Sequence, residues 1–327
     1  MVDVKTLKGN VVTSSIHDKV ILAYGPPGTW KTTFATGDKE RTLLGAYEIG
    51  YKFIPGVKAV NLTNWHGLKD LIRQLKDPDV KELYDTFVID TIGLAYKACV
   101  SYICAKEGVT DIGKIPYGQG YSMAKNEFEK TIHLIPQLGY GLIMIAHSDE
   151  LNDEKNGVSV KVDIDKRPSS VIKGMADFIL YAHKERLDES DKHDDAEMGV
   201  YAYTETKNEN IEVKSRARFF PRRILFTYEN FISGLAYAIA KQDEFYGTVS
   251  VAEPNFDQYS NTEVDIETVK KEIVVLAEQL FKSALVEKAQ TAIARNMRGV
   301  KVGAAKQIHA AQLFATRDEL IEVQKEL

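Results

Sequence analysis

Lys19–Gly25 (KVILAYG) is a short apolar run that ends on glycine, which predicts a buried strand. A glycine-rich turn follows, and a helix is expected from Lys31 to about Thr36. Thr42–Glu48 and Ala59–Leu62 predict two further strands, with Gly50–Gly56, which carries Pro55, as a loop between them. From Gly67 to Leu83, apolar Leu68, Leu71, Ile72 and Leu75 recur at three- and four-residue steps, an amphipathic helix interrupted at Asp77-Pro78. Thr86–Asp90 (TFVID) is a strand that runs straight into an acidic residue. Leu94–Glu107 and Tyr121–Leu138 predict helices on either side of a glycine-containing loop, Gly108–Gly120, and Leu142–Ala146 (LIMIA) is another wholly apolar strand. Apolar strands alternating with helices of this length predict an α/β fold, a mostly parallel sheet covered on both faces.

After His147 the pattern changes. Val158, Val160, Val162 and Ile164 alternate with polar residues around Asn156-Gly157, so Ser148–Asp165 reads as a hairpin. Asp177–His183 predicts a strand, Asp188–Glu197 an acidic surface loop, and Val200–Thr204, Ile211–Val213 and Arg223–Tyr228 short antiparallel strands. Asn230–Lys241 predicts a helix. Phe245–Thr262 is rich in Pro, Asn, Ser and Thr, as a linker is, and Val264–Leu327 is helical with a break at Arg298-Gly299. The expected organisation is an α/β domain over 1–244, a linker over 245–262 and a small helical module over 263–327.

Composition narrows the function only a little. No apolar run approaches a membrane span and the N-terminus lacks a signal-peptide core, so a cytoplasmic protein without a membrane role is expected. Cys99 and Cys104, five apart in a predicted helix, fit neither a redox pair nor a zinc set and read as reduced core thiols. A formal net charge of −5 argues against coating nucleic acid by bulk electrostatics, but leaves room for a local basic groove.

The chemistry sits in the first turn. Gly25-Pro26-Pro27-Gly28-Thr29-Trp30-Lys31-Thr32 follows a strand and opens a helix, the context a P-loop needs; Thr33 is next in line. Backbone N–H groups there suit phosphate oxygens. Lys31 is placed for the β- and γ-phosphates of ATP, and Thr32 for Mg²⁺. Trp30 stands where the motif has glycine. If that position takes a positive φ, tryptophan costs about 1–2 kcal/mol more than glycine. Asp90, ending a strand expected beside the P-loop strand, is the second candidate Mg²⁺ ligand.

Three further readings stay open on residue pattern alone. Glu48, ending the next strand, is either a general base that orients water or a solvated strand end. His147 either senses the γ-phosphate or bonds locally. Lys214, Arg216 and Arg218 alternate, which puts them on one side of an extended segment; this is either a solvated face or a place where Lys214 and Arg216 reach a neighbour's phosphate as arginine fingers do.

These residues together resemble the bacteriophage nucleotide-binding proteins with a RecA-like core, grouped among AAA-type P-loop ATPases and linked to phage single-strand annealing and recombination. The resemblance covers about residues 15–240. It rests on the P-loop with Thr32-Thr-Phe-Ala, on Glu48-Ile-Gly-Tyr, Pro55-Gly-Val and Phe87-Val-Ile-Asp-Thr, and on Ile115-Pro-Tyr-Gly-Gln-Gly-Tyr, Gly141-Leu-Ile-Met-Ile-Ala-His-Ser and Lys214-x-Arg216. It implies a RecA-like P-loop ATPase that works on single-stranded DNA in recombination, annealing or replication. It also implies a homo-oligomeric ring or filament with nucleotide at the subunit interface, and a phage single-strand-binding protein as a further partner. Candidate DNA contacts are Tyr117 and Tyr121, the charged segment with Lys161, Lys166, Arg167 and Lys173, and a C-terminal set of Lys288, Arg295, Arg298, Lys301, Lys306 and Arg317. The competing expectation, motivated by Trp30, is a nucleotide-gated assembly module with little turnover. No acceptor-binding lid is evident, which ranks a small-molecule kinase behind both.

Overall fold

The structure, a computed structural model, describes residues 12–153, 157–186, 198–206, 208, 210–251, 266–297, 299–305 and 310–326. The chain divides into two compact units, one from Gly9 to Gln258 and one containing Tyr259–Leu327.

The first unit is built on one large sheet. Its strands are β1 (Val20–Gly25), β2 (Thr42–Ala46), β3 (Lys58–Asn61), β4 (Thr86–Asp90), β5 (Gly141–Asp153), β6 (Gly157–Val162), β7 (Phe178–Arg186), β8 (Met198–Tyr203), β9 (Lys214–Ser215) and β10 (Arg223–Leu225). The main path runs β10-β8-β7-β1-β5-β4-β2-β3, with β6 on β5 and β9 on β7. From β7 to β3 every pair along the path is parallel. β8, β10, β6 and β9 join antiparallel.

The helices are α1 (Lys31–Ala35), α2 (Trp65–Gln74), α3 (Pro78–Leu83), α4 (Ile92–Lys106), α5 (Gln119–Gln137), α6 (Lys166–Met175) and α7 (Tyr228–Tyr246). Strand periodicity divides the core in two. Val20, Leu22 and Tyr24 of β1 pack on one face with Leu68, Tyr96, Phe128 and Ile172 from α2, α4, α5 and α6. Ile21 and Ala23 pack on the other with Phe34 of α1 and Phe231 and Leu235 of α7. Phe34 stacks on Phe226 at 4.4 Å between ring centres and meets Phe231 edge-on, which anchors the very short α1. Asn64, Thr91 and Thr227 cap α2, α4 and α7 by accepting from Gly67, Leu94 and Asn230 N–H.

Several expectations need correcting. β4 does not lie beside β1, because β5 enters between them. β2 stops at Ala46, so Glu48 lies two residues past a strand end rather than on it. The interruption expected at Asp77-Pro78 does divide the Gly67–Leu83 region, into α2 and an α3 that starts at Pro78 with Asp77 as its cap. A helix not expected from the sequence, α6, follows the hairpin. Ile211–Val213 forms only an isolated bridge through Ile211 to Val160. β10 ends at Leu225, and α7 extends to Tyr246, into the expected linker. The strands of the expected hairpin do pair, Ser148 with Val162 through Asp153 with Gly157, while its Asn156 turn residue, the acidic loop over Asp188–Glu197 and most of the linker lie outside the described residues.

The second unit holds α8 (Ile266–Leu280), α9 (Val286–Met297) and α10 (Ala310–Gln324) around Ile273, Leu280, Ala289, Leu313 and Leu320. α9 ends where Gly299 turns with φ 86°, next to the expected break. Cys99 and Cys104 are both buried and unbridged, and burial pushes the Cys99 thiol up to about 12.

The glycine that closes β1 is sterically required. A Cβ on Gly25 would lie 2.2 Å from the Ala182 carbonyl oxygen of neighbouring β7, whereas one on Gly28 would meet only the Lys184 ammonium at 3.6 Å. Gly25→Ala should therefore cost about 2–3 kcal/mol of stability in urea unfolding. Gly28→Ala should cost only about 1 kcal/mol, for its left-handed φ of 76°. Equal losses in the two variants would contradict this packing.

Candidate functional site

β1 delivers its chain into the loop, and α1 carries it away. Gly28 (φ 76°) and Trp30 (φ 53°) are left-handed, so the position where the motif has glycine does require the conformation tryptophan resists. Thr29 Oγ1 donates to the Pro26 carbonyl at 2.8 Å and steadies the turn. Lys31 is buried, its Nζ donating to the carbonyls of Gly25 (2.8 Å) and Pro26 (2.7 Å) and to Thr29 Oγ1 (3.1 Å). Burial lowers the Lys31 pKa to about 8, against the pull of Asp90 and Glu48.

Opposite Lys31, at the end of β4, Asp90 is 3% exposed. Thr32 Oγ1, on the first turn of α1, donates to Asp90 Oδ2 at 2.7 Å. This bond bridges the span that β5 opens between β1 and β4. Burial raises Asp90 to about 6; Thr32's hydrogen bond, Lys31 and His147 oppose the rise, and Glu48 adds to it.

Glu48 is aimed by the backbone. The N–H groups of Tyr47 and Glu48 both donate to the Asp90 carbonyl, at 2.6 and 3.0 Å, and fold the chain over the end of β4. Its Oε2 lies 3.0 Å from His147 Nε2 at the end of the parallel part of β5. His147 Nδ1 is buried and has no hydrogen-bond partner among the described residues. The local bond of His147 and its place in the crevice therefore coexist.

A crevice of about 390 Å³ gathers these groups: Gly28–Thr33 on one side, Glu48, Asp90 and His147 on the other. Gly50, Phe53 and Ile54 also line it, and pattern reading left them as loop. No periodic pattern marks them in the sequence; the fold brings Gly50 close to the pair, where a Cβ would lie 3.6 Å from Thr32 Oγ1 and 4.0 Å from Asp90 Oδ2, ordinary contact distances.

Lys214 and Arg216 lie elsewhere. Lys214 pairs with Ile179 near the start of β7 and donates to the Lys173 carbonyl at 2.8 Å. Arg216 donates to Asp177 Oδ1 and to the Gly174 carbonyl, both at 2.9 Å. Asp177 accepts from Val20 N at the opening of β1, so both cations sit about 16 Å along the strand from the loop after Gly25. They take no part in this chain's own P-loop. Nor do the three cations share a side, since the strand ends at Ser215 and Arg218 turns away over the Phe245 ring at 4.8 Å.

Of the candidate nucleic-acid contacts, Tyr117 is 98% exposed and left-handed (φ 56°). The Arg167 guanidinium lies 4.1 Å from the centre of the Tyr121 ring. Lys173 is paired with Glu212 at 2.6 Å. In the helical unit Lys288 pairs with Glu326, Arg295 with Glu319, and Arg317 with Glu272 and Asp318, so three of the six candidate cations are engaged within the unit. Arg298 and Lys306 lie outside the described residues.

The donor set suits a magnesium nucleotide: a glycine turn at the end of a strand, a buried ammonium, and a hydroxyl facing a buried carboxylate. Comparison with known proteins agrees. A family model described as an AAA domain matches residues 17–218. The SPbeta prophage-derived uncharacterized protein YorG of Bacillus subtilis (strain 168) is 26% identical over 315 residues, covering 92% of each chain. Among the described residues no helix is long and apolar enough to cross a membrane.

The Asp90 carboxyl gives a test of site electrostatics. The folded protein holds its proton up to about pH 6, while the unfolded chain releases it near 3.8. Between those values acid favours the folded state, so this residue's contribution to stability is lost as pH rises from about 4 to 6. Asp90→Asn should therefore be more stable than wild type at pH 7, on the order of 3 kcal/mol, and equal to it below pH 4. Urea unfolding across that range decides it; an Asn variant less stable at pH 7 would contradict the assignment.

Proposed function

Because this chain belongs to the AAA domain family, whose P-loop domains bind nucleotide, we propose that it binds and hydrolyses Mg²⁺-ATP and uses the turnover to work on single-stranded DNA in phage recombination, annealing or replication. The bond from Thr32 Oγ1 to Asp90 Oδ2, at 2.7 Å, carries the reading. A hydroxyl and a buried carboxylate beside a P-loop lysine are the pair a nucleotide-bound magnesium requires. Bound there, Mg²⁺ would neutralise charge on the β- and γ-phosphates.

The chain's own residues do the rest. Lys31 exchanges the Gly25 and Pro26 carbonyls for phosphate oxygens. Thr32 and Asp90 hold the metal. Glu48, oriented through its own N–H and by His147, accepts the proton of an attacking water. His147 begins the polar extension of β5 into the β5–β6 hairpin, so a group in the crevice is continuous along the chain with that hairpin.

Support for single-stranded DNA is separate. A tyrosine held left-handed and almost wholly exposed contributes nothing to the core, and Tyr121 under Arg167 adds a second ring with a cation. Exposed rings with nearby cations suit stacked bases. The relative's prophage origin supports a phage setting.

Lys31→Ala should abolish nucleotide binding. Glu48→Gln should keep ATP affinity within a few-fold while lowering kcat at least about 100-fold. Wild-type turnover should rise on addition of a single-stranded oligonucleotide at low salt. Tight ATP binding with turnover no higher than that of Lys31→Ala would favour the nucleotide-gated assembly module instead. Loss of neither binding nor turnover in Lys31→Ala would overturn the site.

A further inference from the structure

Beside the crevice lies a second cavity, of about 420 Å³, that the phosphate chemistry does not use. Trp30, Thr33, Phe53 and Ile54 line both spaces, so the two adjoin along one wall. The second runs along α1 away from the loop, past Lys39, to Tyr228 and Glu229 at the start of α7. Its volume falls within the range of about 300–1,000 Å³ that holds small organic ligands.

Two rings mark this wall. Phe53 is 96% exposed and Trp30 is 56% exposed. Neither is exposed through slack backbone. Phe53 ends a 3₁₀ turn, Tyr51–Phe53, closed by Ile54 N–H donating to the Tyr51 carbonyl at 2.9 Å. Tyr51 OH fixes that turn to Asn61 Oδ1 at 2.7 Å. Trp30 is held at a backbone angle that strains it, on a loop anchored by Thr29 and Lys31. Two exposed aromatic side chains are thus carried on anchored backbone, and both line the crevice as well as the cavity beside it.

We propose that Trp30 and Phe53 form the subsite for the heterocyclic base of the nucleotide, which lies in the cavity beside α1. The assignment rests on nucleotide binding at the P-loop and adds to it the part of the ligand the phosphate contacts cannot hold. It also gives the tryptophan a use: a residue with no left-handed preference supplies a stacking face where glycine would supply none. Thr33, at the junction of the two cavities, is the position a ribose passes.

The test separates base from phosphate. The chain has two tryptophans, and the other, Trp65, is fully buried. Emission excited at 295 nm is followed while Mg²⁺-ATP or inorganic tripolyphosphate is added to the full chain. ATP should quench an emission component absent from Trp30→Phe; tripolyphosphate should compete with ATP without quenching. Phe53→Ala should weaken ATP about ten-fold, the loss of one base–aromatic stack, and leave tripolyphosphate affinity unchanged. Phe53→Trp should restore the ATP affinity. ATP and tripolyphosphate binding alike with Trp30 emission unmoved would overturn the base subsite and leave the phosphate site standing. So would equal weakening of both ligands by Phe53→Ala, or a change in particle mass with ATP affinity intact, which would make Phe53 a subunit contact. Binding of neither ligand would overturn the nucleotide reading, and the subsite with it.

Discussion

The hydrogen bond between Thr32 and Asp90 is the contact on which the arrangement of the site depends. It joins the first turn of α1 to the end of β4 although β5 separates their strands. Three other features are tied to it. The Asp90 carbonyl receives the N–H groups that fold Glu48 over the crevice. The inserted β5 brings His147 to Glu48. Phe34, two residues beyond Thr32, keys α1 into the aromatic cluster with Phe226 and Phe231. A change in the height of α1 above the sheet would therefore separate the hydroxyl from the carboxylate.

The cost of this arrangement is buried charge. Lys31 and Asp90 are both nearly inaccessible, and burial shifts each toward its neutral form despite their mutual attraction. A structural core would replace such groups with packed hydrocarbons. Their retention beside a strained Trp30 marks a site where stability is given up for chemistry. Elsewhere β1, β4 and β5 direct apolar side chains from their two faces into two hydrophobic cores.

The parts legible in the sequence were those set by local pattern. A wholly apolar run cannot be solvated, so β1, β4 and the first half of β5 were plain, as was the strand–turn–helix context of the P-loop. Strand order was not legible, because a right-handed crossover can place β5 outside β4 or between β4 and β1, and residue type does not choose. The apolar run continues through Tyr47 and so extends the strand pattern to Glu48, whereas the ladder ends at Ala46 and the next two N–H groups turn to Asp90. α6 was hidden by Lys166-Arg167-Pro168, which reads as charged loop although proline is tolerated in a first helical turn. The alternation of Lys214, Arg216 and Arg218 implied a strand that lasts only two residues. Phe53 carried no periodic signal at all; only its exposure beside Trp30 distinguishes it.

The most direct test of the central claim is the electron paramagnetic resonance spectrum of Mn²⁺-ATP in the presence of excess protein, compared among wild type, Thr32→Val and Asp90→Asn. If the hydroxyl and the carboxylate hold the metal, wild type gives a protein-bound Mn²⁺ spectrum that both variants lose or weaken, while ATP itself still binds through Lys31. A bound-metal spectrum identical in all three proteins would contradict the account.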